Sequence, residues 1–68
     1  MSKTYIDIVT LVEVPGDRNP FYVVESAKGK HYVSALGGRE AKGLRAGTKL
    51  RLFQNVAKQM TAYSLERA

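Results

Sequence analysis

A chain of 68 residues with no cysteine and a single histidine has no covalent or metal staple to draw on. Disulfides and thiolate metal sites are impossible, and no carboxylate cluster surrounds the histidine, so no metal site is expected. The length allows one domain, 1–68. A domain this small buries a limited fraction of its surface and is marginal without help. Ordinary apolar packing must therefore supply the core, and the spacing of apolar residues decides what can fold.

That spacing has a period of two. Gly43 and Gly47 bracket a tight turn, where glycine takes backbone angles that side chains forbid. From Thr48 the chain alternates: Leu50 and Leu52 fall on one face, and Lys49, Arg51 and Phe53 on the other. The aliphatic face reads as core. The other face, two cations and a ring, suits the backbone and bases of a nucleic acid, or simply solvent.

The same period recurs through the chain. Residues 4–14 are rich in β-branched side chains and carry no helix start signal. Ile6, Ile8, Val12 and Val14 fall on one face, and Tyr5, Asp7, Val9, Leu11 and Glu13 on the other. Apolar residues on both faces suit a long, bent strand serving two sides of a barrel. Residues 15–20, with two prolines, a glycine, Asp17 and Asn19, form a loop. A second strand spans 21–26, a turn with Gly29 at positive φ follows at 27–30, and a third strand spans 31–36. Val33 and Ala35 are expected to face the core, and Lys30, Tyr32 and Ser34 to face outward. His31 is expected at the surface or an edge. At most one or two helical turns fit from Arg39 to Arg45. A loop is expected at 54–58 and a strand at 59–66; helical spacing of Val56, Met60 and Tyr63 leaves a C-terminal helix as the alternative.

Charge is segregated along the chain. Residues 1–27 carry a net −2, and residues 28–68 a net +7, nine cations against Glu40 and Glu66. A polarised basic field favours a polyanionic partner, although it also serves solubility. Aromatic rings interleaved with cations are how single strands are held. The candidate contacts are Tyr22 (or Phe21), Lys28, Lys30 and Tyr32 on the second and third strands, Arg39, Lys42 and Arg45 in the connection, and Lys49 and Arg51 on the fourth strand. No Ser-His-Asp or paired-carboxylate spacing is present, so no catalytic residue is assigned and an enzyme is not expected. Gly37-Gly38 has neither the P-loop spacing nor the dinucleotide fingerprint, so no cofactor is expected. No apolar run reaches the ~20 residues that span a bilayer, and no N-terminal run resembles a signal peptide. Absence of cysteine fits a reducing cytoplasm.

Five short strands with a longer basic connection after the third predict an all-β fold. The small five-stranded barrel of the oligonucleotide-binding type fits, with an SH3-like barrel as the alternative. Two runs, Lys28-Gly29-Lys30-His31-Tyr32-Val33-Ser34-Ala35-Leu36-Gly37-Gly38-Arg39 and Leu44-Arg45-Ala46-Gly47-Thr48-Lys49-Leu50-Arg51-Leu52, carry a resemblance. Residues 21–53 resemble bacterial translation initiation factor one and related RNA-binding barrels of the ribosome. The resemblance implies RNA contacts from Lys30, Tyr32, Arg39 and Lys42. The chain departs from that family at Thr48, where an aspartate is usual, in the loop 15–20, and in lacking an arginine-rich last strand. The resemblance thus carries over the fold more readily than a ribosomal role. The expected function is a non-catalytic module for single-stranded DNA or RNA. The alternative is a small protein-binding adaptor or inhibitor with an SH3-like barrel, of phage or plasmid origin.

Overall fold

The longest strand is bent twice, and the bends organise the molecule. A computed structural model describes residues 2–68. β1 (Ser2–Glu13) pairs with β2 (Phe21–Ser26) on one side and β4 (Lys49–Ala57) on the other. Its register slips between Tyr5 and Asp7 and again between Leu11 and Glu13. Each slip is a bulge, which bends a strand and tightens its twist. A bulge also resets which residues face inward. Tyr5 then lies on the outer face with Ile8 and Thr10, while Val9 and Leu11 enter the core. The expected face of Ile6, Ile8, Val12 and Val14 is therefore split. Ile6 packs against the core margin, whereas Ile8 and Val14 are exposed.

β3 (Gly29–Ser34) pairs with β2, and β5 (Met60–Arg67) with β4. All pairs are antiparallel, in the order β3-β2-β1-β4-β5. Three hairpin-linked strands with the fourth returning beside the first make a Greek key. The chain is all-β: the described residues form one curled, barrel-like sheet of five strands and a single 3₁₀ turn, Arg39–Ala41. The edge strands β3 and β5 approach each other without forming a ladder. The His31 and Tyr63 rings meet across them at 5.3 Å, and the Leu65 N–H ties β5 to the connection after β3 by donating to the Gly37 carbonyl at 2.9 Å. No described helix is long and apolar enough to cross a membrane.

Val9, Leu11, Tyr22, Val24, Val33, Leu50, Leu52 and Leu65 fill the interior. Leu50 and Leu52 are fully buried, as their alternation with charge predicts. Ala41 of the 3₁₀ turn joins this core, and Leu44 packs beside it. The turn sits close because Gly37 and Gly38 let it: a Cβ at either would collide with the Tyr63 carbonyl or the Tyr22 ring.

Three boundaries differ from expectation. β3 ends at Ser34, so Ala35 is exposed rather than in the core. Residues 54–57 are strand rather than loop, because Gln54 and Asn55 find partners across the hairpin. The Asn55 amide donates to the Ser64 hydroxyl at 2.9 Å. The reversal falls instead on Lys58-Gln59, with Lys58 at φ 52°. Residue-for-residue pairing from Ala57↔Met60 to Leu50↔Arg67 leaves no C-terminal helix.

Candidate nucleic-acid interface

Cross-strand register sets out the outer face. One row runs Lys30, Glu25, Thr10, Lys49 over β3, β2, β1 and β4. Tyr32 and Val23 lie opposite each other in a neighbouring row. Arg51 sits between Ile8 and Glu66 in a third. Lys30, Tyr32, Lys49 and Arg51 therefore share the outer face of the sheet. They are not equally free. The Lys49 ammonium donates to the Thr10 hydroxyl at 2.7 Å, and the Arg51 guanidinium to the Arg67 carbonyl at 3.0 Å.

Tyr22 does not join them. It points into the core and is 6% exposed. Strand parity explains this: Tyr22 and Val24 share the inner side, which sends Phe21, Val23 and Glu25 to the outer one, where Val23 is covered by its neighbours and buried. Phe21 takes the place expected of Tyr22. Its ring meets that of Tyr32 edge to face, with centroids 6.4 Å apart and planes at 88°. Phe21 is 41% exposed and Tyr32 59%, so both rings offer a surface to a ligand. The packing preference of aromatic quadrupoles holds such a pair in place.

Phe21 pairs with Ser34, the last residue of β3. The basic connection thus leaves the sheet beside the aromatic pair. Its backbone is fixed: Gly47 N–H donates to the Leu11 carbonyl at 2.7 Å, and Leu11 N–H to the Thr48 carbonyl at 2.9 Å. Gly43 and Gly47, at φ 85° and 97°, make the turns that this path needs. Arg39, Lys42 and Arg45 project from it into solvent. Lys28 lies in the β2–β3 turn, at the opposite end of that hairpin. Among the described residues, the side chains of Lys28, Lys30, Arg39, Lys42 and Arg45 make no hydrogen bond or ion pair within the chain. The site is therefore divided: Lys30 and Tyr32 on the sheet, Arg39, Lys42 and Arg45 over one end, and Lys28 at the other.

A second aromatic cluster was missed by sequence reasoning. Tyr5 and Phe53 meet edge to face at 5.7 Å on the outer side of β1 and β4. The Lys3 ammonium lies 4.5 Å from the Phe53 ring centre and pairs with Glu66. The outward position of Phe53 is legible from its alternation with Leu52, but Lys3 and Tyr5 are not. Only the register of β1 on β4 brings them there. His31 lies on the edge strand β3, half-buried against Tyr63. No protein-family model matches the chain, and neither a curated protein nor a solved structure does.

Proposed function

We propose that the protein is a non-catalytic module that binds single-stranded nucleic acid across the outer face of β2–β3 and the adjoining basic connection. One observation carries the reading. An exposed aromatic pair, Phe21 and Tyr32, lies between the unpartnered Lys30 and the start of a connection bearing three more unpartnered cations. Rings stack bases without regard to sequence, and cations follow the phosphates. Strand order supports the reading: a Greek key with a fifth strand, partly open between its edges, is the arrangement of the oligonucleotide-binding barrel. A cysteine-free chain suits the cytoplasm, where we place it.

The test is a fluorescence-anisotropy titration with single-stranded DNA, single-stranded RNA and duplex, repeated with Phe21→Ala and Tyr32→Ala. Tighter binding to single strands, weakened by both substitutions, is the expected result. Absence of binding to any nucleic acid at low salt would sink the proposal and favour the protein-binding adaptor.

A further inference from the structure

On the outer side of β5, where it faces the connection, a groove of about 510 Å³ opens beside Arg39. Lys3, Asn55, Ser64 and Glu66 line it, with the exposed Leu36 at its rim. Its chemistry differs from that of the basic connection. Two carboxylates, Glu40 and Glu66, face two cations, Lys3 and Arg39, so its lining carries no net charge to hold a phosphate. The groove suits a flat, uncharged group that carries donors and acceptors side by side, and a base edge is such a group.

The donor set narrows the choice of base. Lys3 donates to one oxygen of Glu66, Oε2. A carboxylate has about four lone-pair sites and an ammonium three donors, so both partners keep capacity while paired. The remaining acceptors sit next to the remaining donors. Guanine alone presents two adjacent N–H groups, at N1 and N2, beside an acceptor oxygen, O6. A carboxylate accepts both N–H groups and a neighbouring ammonium donates to O6. Cytosine, adenine and uracil each offer a single donor position along that edge. The Asn55 amide, anchored to the Ser64 hydroxyl, provides a further polar contact on a rigid strand pair. We infer that this groove reads guanine in a bound single strand, with Glu66 and Lys3 as the specificity-determining residues and Arg39 on the adjoining phosphate. This inference rests on the single-strand reading above.

The experiment uses an eight-residue oligothymidine with one central guanine, adenine, cytosine or thymine. The strand with guanine should bind about tenfold tighter than the others, the discrimination of one good bidentate pair. Glu66→Gln replaces an acceptor with a donor facing N1–H and should bring all four strands within about twofold. Lys3→Met, which removes the ammonium but keeps an unbranched side chain, should also reduce the preference, and gives a second variant should Glu66→Gln fail to fold. Equal binding of the four strands by the parent, or a guanine preference that survives in both folded variants, overturns the inference while leaving single-strand binding intact. A separate arm titrates guanosine and cytidine monophosphates at millimolar concentration and follows amide resonances. Guanosine monophosphate alone should shift the Asn55 side-chain amide. If neither mononucleotide does, the groove has no base-reading role, whether or not strands bind elsewhere.

Discussion

Reversing the charge of the connection, with Arg39→Glu and Lys42→Glu together, separates phosphate neutralisation from every other contribution. Among the described residues, four cations stand without an intrachain partner on this end and face: Lys30, Arg39, Lys42 and Arg45. Each phosphate contact on a single strand contributes about −0.7 to the slope of log K against log salt, so four predict about −2.8. Raising salt from ~50 to ~200 mM should then weaken parent binding about 50-fold. With two contacts gone the slope flattens to about −1.4, and the same change costs about sevenfold. Affinity should fall alike for all-thymine and all-cytosine strands, because phosphate contacts position without reading bases. The fold should survive: both side chains are solvated, and the backbone bond from Lys42 N–H to the Arg39 carbonyl, 3.2 Å, does not depend on them. Anisotropy at four salt concentrations, with circular dichroism melts of both proteins, gives all these quantities. A parent slope near −3.5 would report Lys28 as a fifth contact, for a strand running the length of β3. A folded double variant with the parent's slope would refute the connection's role.

Leu52→Ala removes a fully buried side chain and should cost about 2–5 kcal/mol in a urea melt; an unchanged midpoint would mean that the strand face is inverted. Gly37→Ala sets a methyl group against the Tyr63 carbonyl, main chain that cannot step aside, whereas Gly16 has open space around its Cβ position. The first variant should melt well below the parent and Gly16→Ala should melt with it; equal melts would show that the connection does not sit tightly on β5. Tyr32→Ala should weaken single-strand binding by about 1–3 kcal/mol. Its stability cost should stay near the ~1 kcal/mol of a lost edge-to-face pair. A larger stability loss with unchanged affinity would make Tyr32 a structural residue.

Strict alternation made β4 legible through Phe53, and a two-residue hairpin with a glycine made β2 and β3 legible. β1 resisted because alternation assumes an unbroken pleat. Each bulge shifts parity by one, so Ile8 and Val9 exchange the faces that counting from Ile6 assigns them. Sequence alone leaves Tyr22 and Phe21 as alternatives for a related reason: four consecutive apolar residues, Phe21 to Val24, give no local sign of which parity is inner. The strand through Gln54 and Asn55 was hidden because their polarity reads as loop until a cross-strand hydroxyl is available. Of the candidate site, the cations were visible as charge, but no spacing rule places Lys3 beside Glu66, 63 residues away.

Strand order also bears on how the chain is made. β2–β3 and β4–β5 are hairpins closed by two-residue turns, and β1 belongs to neither. It lies between them, with its longer ladder reaching from Ser2↔Val56 to Thr10↔Lys49. Hairpins form in about 1–10 μs, while pairing across some forty residues must first overcome loop closure. On the ribosome, β1 is synthesised first; β2 follows it after a short loop, but the side that pairs with β4 waits for most of the chain. Until β4 appears, its edge carrying Val9 and Leu11 is an unpaired template for other chains. Pulse-labelled hydrogen exchange during refolding would show this as late protection of the β1 amides that face β4; their protection ahead of both hairpins would overturn the order.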